Sequence, residues 1–97
     1  MRVDYHPAIA DYLEKIRDHY EACSPGLGSG FVDEFERQIL IIAAMPTRWM
    51  VASNDIRRSL MKRFPYVILF RIVGDDATRV TVVKHEKRHP AFGLFRT

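Results

Sequence analysis

Tyr66-Val67-Ile68-Leu69-Phe70-Arg71-Ile72-Val73 leads through Gly74-Asp75-Asp76-Ala77 into Arg79-Val80-Thr81-Val82-Val83-Lys84-His85. β-Branched and aromatic residues fill both runs, and a glycine with paired aspartates separates them, so the segment reads as an antiparallel hairpin. The first run is apolar on both faces: Tyr66, Ile68, Phe70 and Ile72 alternate with Val67, Leu69 and Val73. Such a strand is central in its sheet and covered on both sides. Only Arg71 breaks it, and an arginine there needs an anion or an internal carboxylate such as Glu14 or Glu36. With Asp75 and Asp76 as the loop, Gly74 pairs with Ala77, Arg71 faces Val80, Val67 faces Lys84, and Tyr66 faces His85. Arg71 and Lys84 then share one face of the sheet, and Tyr66 and His85 the other. A one-residue slip would reverse that grouping.

Upstream, Ile56 to Phe64 is a further β segment, and Thr47 to Asn54 is a connection with Trp49 as an anchoring plug. Before it lie two helices. Ile9, Tyr12, Leu13, Ile16 and Tyr20 recur at spacings of three and four, with Asp11, Glu14, Lys15, Arg17 and Asp18 opposite. Pro7 suits the first helical position, and Ser24-Pro25-Gly26-Leu27-Gly28 ends the helix near Cys23. Ser29 or Gly30 caps the second helix, with Asp33 and Glu34 in its first turn. Val32, Phe35, Ile39, Ile42 and Ala43 form its buried stripe, and Pro46 stops it. Its end, apolar nearly all round, is expected to be well buried. Arg2 to His6 alternates as a strand. The order is β-α-α-β-β-β, an α+β fold with an antiparallel sheet, in one domain over residues 1–97 with a tail from Lys87 to Thr97.

Apolar residues make up 47% and charged residues 28% of the 97-residue chain, the balance of a globular domain and not of a disordered one. The longest apolar run, Ile39 to Met45, has seven residues, against the roughly 20 that span a bilayer. No basic-then-apolar leader pattern opens the chain. One cysteine, Cys23, fits a reducing compartment, so no membrane partner and a cytoplasmic location are expected. The net charge of +3 is unevenly divided. Residues 1–50 hold five Lys/Arg against eight Asp/Glu, a net of −3, and residues 51–97 hold ten against four, a net of +6. A basic half of this kind either faces nucleic acid or an acidic protein, or is neutralised by its own acidic helices.

The basic set is Arg57, Arg58, Lys62, Arg63, Arg71, Lys84, Lys87, Arg88 and Arg96. Guanidinium forks suit phosphate, although charged residues on strands also block edge pairing. His85 ends the last strand beside Glu86; near neutral pH it can move a proton, worth roughly 10²–10⁴-fold in rate, or it is a structural strand-end residue. His6, His19 and His89 lack metal-ligand spacing, and neither a metal nor a cofactor is expected. Gly26-Leu27-Gly28-Ser29-Gly30 lacks the Lys-Ser/Thr end of a phosphate loop and reads as a flexible turn. Ser24, Ser29, Ser53 and Ser59 stand in no nucleophile-elbow context.

Taken in order, Ser24-Pro25-Gly26-Leu27-Gly28, Phe31-Val32-Asp33-Glu34 and Met45-Pro46 resemble the helical hairpin of the RelE/ParE toxin superfamily. Arg57-Arg58, Arg63-Phe64-Pro65-Tyr66, Val82-Val83-Lys84-His85 and Arg88-His89-Pro90 resemble its sheet and C-terminal signature, so the likeness runs from Val3 to Arg96. The resemblance implies the toxin of a type II toxin–antitoxin (plasmid stabilization) pair, with a cognate antitoxin that wraps it in acidic or apolar segments. On activity the superfamily divides. RelE-like members are metal-independent, ribosome-dependent mRNA endonucleases, which would make Arg71, Lys84 and His85 the catalytic set. Arg57, Arg58, Lys62, Arg63, Lys87 and Arg88 would then bind RNA, with Phe95 and Arg96 flanking the cleaved base. ParE-like members instead inhibit DNA gyrase without a nuclease site, and a third outcome is a non-toxic, antitoxin-binding relative. Many of the nucleases carry a tyrosine near the end; this chain has Phe92 and Phe95, which can stack on a base but cannot move a proton.

Overall fold

The computed structural model describes residues 1–88, 92, 93 and 96. β1 (Arg2–Tyr5) leads into a hairpin of helices, α1 (Ile9–Cys23) and α2 (Leu27–Ala44). A 3-10 turn (Pro46–Arg48) follows, then β2 (Val51–Ser53), β3 (Ile56–Leu60), β4 (Tyr66–Val73) and β5 (Ala77–His85). The sheet order is β1-β5-β4-β3-β2. β1 joins β5 in parallel, and every other pair is antiparallel. The expected β-α-α-β-β-β order holds, with β2 added from what read as plain connection. Trp49 does anchor that connection: it is half-buried and meets the Phe70 ring edge-on at 5.9 Å. β3 stops at Leu60 instead of running to Phe64, because Met61 and Phe64 turn into the core.

The hairpin register combines two departures that offset each other. Val73 pairs with Ala77, so the loop has three residues and begins at Gly74, whose φ of +62° favours glycine. Arg71 therefore faces Arg79 and not Val80. Between Leu69 and Phe70 the ladder shifts by one: Leu69 opposes Val82 while Phe70 opposes Val80. Thr81 is the extra residue of this bulge, and its buried hydroxyl donates to the Leu69 carbonyl at 3.3 Å. Beyond it Val67 faces Lys84 and Tyr66 faces His85, as expected. The bulge thus keeps Arg71 and Lys84 on one face.

The helices cover the other face. Ile9, Ile16, Phe31, Phe35, Ile39 and Ile42 pack on Ile68, Phe70, Val80 and Val83. Ile56, Val67, Leu69 and Val82 form a smaller cluster on the helix-free face, partly covered by Phe92. β4 is therefore apolar on both sides for the reason its sequence implied. Gly93 lies so close to this face that a Cβ on it would stand 2.3 Å from a Val82 methyl.

Both helices depart from their expected starts. Ala8, not Pro7, is the N-cap of α1. α2 begins at Leu27, with Gly26 as N-cap at φ +85°, so Gly28, Ser29 and Gly30 are helical and not a flexible turn. In place of a Ser or Asn cap, the Glu21 carboxylate at the end of α1 accepts from Gly26 N (2.9 Å) and Gly28 N (3.0 Å). Asp33 and Glu34 fall outside the first turn, and buried Glu34 accepts from the backbone N of Arg63 at 2.9 Å. The end of α2 is not well buried: Leu40 is 71% and Met45 61% exposed. One sheet covers one side of a helix, and an all-round apolar end must leave its far side in water.

Candidate functional site

On the helix-free face, neighbouring strands bring together Arg58 of β3, Leu69 of β4 and Lys84 of β5, Arg58 lying directly opposite Leu69. With Ala52 and Ser53 of β2, and Glu86 and Arg88 beyond β5, they line a pocket of about 240 Å³. Lys84 is only 7% exposed, and its ammonium donates to the Phe92 carbonyl at 3.1 Å. Burial first, then the Arg58 and Arg88 charges, hold that ammonium below its ordinary value of 10.5. The Arg88 guanidinium lies 4.0 Å over the Phe92 ring. Arg96 sits 5.9 Å from the rings of Tyr12 and Phe92 and donates to the Thr81 carbonyl at 3.3 Å. The tail residues thus act as a clamp on β5, and two of the expected nucleic-acid residues, Arg58 and Arg88, meet at one site.

Other predicted site residues lie elsewhere. Arg71 pairs with Asp55 at 2.9 Å, not with Glu14 or Glu36, and its buried Nε has no hydrogen-bond partner among the described residues. It stands four residues along β4 from Val67, the partner of Lys84, which is roughly 13 Å at the strand rise. His85 points to the helix face, where its ring meets Tyr66 edge-on at 5.4 Å and its Nδ1 accepts from Lys87 N at 3.1 Å. The expected catalytic set of Arg71, Lys84 and His85 is therefore not assembled. Period-2 alternation sets neighbouring Lys84 and His85 on opposite sides of the sheet.

The Arg57–Arg58 pair divides for the same reason: Arg57 turns to the helix side, where its Nη1 donates to the Trp49 carbonyl. Arg63 lies 5.4 Å over the Phe64 ring, on the edge near α2. Lys62 and Lys87 are exposed in the segments flanking β4 and β5. Phe95, like His89 and Pro90, falls outside the described residues. Among the described residues no cluster of His, Cys, Asp or Glu fits a metal ion, and no helix is long and apolar enough to cross a membrane.

Two features were missed from sequence. Glu86 shares the pocket with Lys84, a neighbourhood that i, i+2 spacing on one strand face makes legible. An apolar groove of about 420 Å³ runs between β1 and the helical hairpin, lined by Tyr5, Pro7, Ala10, Leu13, Val32 and Phe35, with Glu36 at its edge. Residues from three elements form it, so no local pattern announces it.

Comparison with known proteins now has geometry to meet. The family described as ParE toxin of type II toxin-antitoxin system, parDE, matches residues 3–90. This chain belongs to the ParE toxin family. A solved chain from the chromosomal ParDE TA system of P. aeruginosa is similar in fold, with a TM-score of 0.77 at 18% identity, over 88% of this chain and 95% of that one. No curated protein matches the sequence. As a ParE-family toxin the protein is one half of a type II toxin–antitoxin pair. The helical hairpin, the sheet order and the +6 half of the sequence are then the frame of a toxin.

Proposed function

We propose that this ParE-family toxin acts in the cytoplasm as a stoichiometric inhibitor of DNA gyrase, docking on its target through the helix-free face, and not as an mRNA nuclease. The observation that carries this reading is the separation of His85 from the cationic pocket by the sheet itself. General acid–base cleavage needs the proton-moving group within hydrogen-bond reach of the reacting oxygen, and a group across a sheet is out of reach. The apolar groove beside β1 suits an apolar segment of the cognate antitoxin, which would shield it from water.

One observation favours the second reading, a ribosome-dependent mRNA endonuclease: Glu86 shares the pocket with Lys84, Arg58 and Arg88. There the carboxylate would take the ribose 2′-OH proton while the cations hold the phosphate. The two readings part in one pair of assays. Purified toxin should abolish gyrase supercoiling and leave mRNA intact on translating ribosomes. Defined mRNA cuts that disappear with Glu86→Gln would overturn the inhibitor reading, and unimpaired growth on induction would overturn both.

A further inference from the structure

We propose that the Arg58–Lys84–Arg88 pocket is a carboxylate site, which takes one glutamate or aspartate side chain from an extended acidic segment of a protein partner laid along the free edge of β2. This rests on reading the helix-free face as a protein-docking surface. Three cations meet one carboxylate, Glu86, in a space of about 240 Å³, room for a single side chain and not for a nucleotide. Arg58 and Arg88 already disfavour the charge on Lys84, so an entering anion relieves a repulsion that the folded chain holds. The floor is apolar, supplied by Leu69 and Ala52. An aliphatic stem ending in a carboxylate matches such a floor beneath a cationic rim. A phosphodiester strand brings repeated charges past Glu86 and has no stem to bury.

The direction of approach follows from the sheet. β2 is the last strand in the order and pairs only with β3, so its outer edge is open to another strand. Ala52 and Ser53 belong to β2 and also line the pocket, so a strand added at that edge passes the pocket mouth. Met50, 86% exposed, and Val51, 46% exposed, offer apolar contact to the added segment's alternate side chains.

The test uses the full chain, isotope-labelled, titrated with a blocked pentapeptide carrying one glutamate between two valines, its glutamine counterpart, and a single-stranded RNA decamer. The glutamate peptide should shift the amide resonances of Arg58, Leu69 and Lys84 and bind about tenfold tighter than the glutamine peptide, the effect of one charge-assisted hydrogen bond. Arg58→Gln, at an exposed position, should remove that preference, and Lys84→Met should do the same where it folds. Equal binding of the two peptides, shifts confined to other residues, an unaffected Arg58→Gln variant, or RNA occupying the pocket more tightly than the peptide would each overturn the assignment. Gyrase supercoiling measured on the same samples keeps the two ideas apart. Inhibition by a protein that ignores the glutamate peptide sinks the pocket assignment alone.

Discussion

Gly28 of α2 meets the backbone of Arg17 in α1 so closely that a Cβ on it would stand 2.5 Å from the Arg17 carbonyl oxygen. This contact fixes how tightly the helical hairpin closes, and with it how α2 lies on the sheet. The obstacle is backbone, which cannot swing aside as a side chain can.

Gly28→Ala is therefore expected to destabilise the protein by about 1–3 kcal/mol, the usual cost of overpacking. Gly30→Ala, two positions on, should do the opposite. Its Cβ meets only the Arg63 guanidinium, at 3.8 Å, and alanine gains roughly 0.5–1 kcal/mol over glycine inside a helix. Denaturant midpoints of the two variants check the contrast. Equal effects would show that the close approach does not limit packing.

The Glu21 cap should be sensitive to acid. Hydrogen bonds from the Gly26 backbone first, then from Gly28 and Ser29, hold its carboxyl below the ordinary 4.5 despite an opposing desolvation. A depressed folded value means that the stabilisation is present above the ordinary value and is lost as pH falls through the folded one. Wild type should melt higher than Glu21→Gln at neutral pH, and the gap should close on acidification. A gap unchanged at about pH 3 would rule out the carboxylate as the cap.

At the alkaline end the tyrosines act. Burial raises Tyr66 above 10.0, and burial with the neighbouring Tyr66 raises Tyr20. Raised folded values mean full stability below the unfolded value and loss as pH rises through the folded values. Lys84, depressed, works in the opposite sense just below 10.5. Melting temperature should fall as pH climbs past about 10, and Tyr66→Phe should weaken that fall. An identical alkaline profile for the variant would show that Tyr66 titrates as it does unfolded.

Gln38 on α2 donates to Ser59 on β3 at 2.7 Å, both side chains buried. Ser59→Ala leaves the amide unsatisfied and should cost about 1–3 kcal/mol. Adding Gln38→Leu should recover most of the loss, because an apolar pair leaves no orphaned donor. A double variant as unstable as the sum of the single ones would deny the coupling.

The sequence by itself determined the elements of this protein. Period-3.6 and period-2 patterns depend on near neighbours, so α1, the α2 stripe and the two-sided β4 were legible from Ile9 to His85. The opposite facing of Lys84 and His85 was legible too, because alternation along a strand is local. Tertiary structure alone decided what these elements do together. It paired Arg71 with Asp55, which lies in no periodic relation to it, and inserted the Thr81 bulge that restores the faces after a longer loop. It made Gly28 a helix contact instead of a turn and gathered Arg58, Lys84, Glu86 and Arg88 around one pocket. Each of these depends on distances between segments far apart in the chain, which local propensity does not encode.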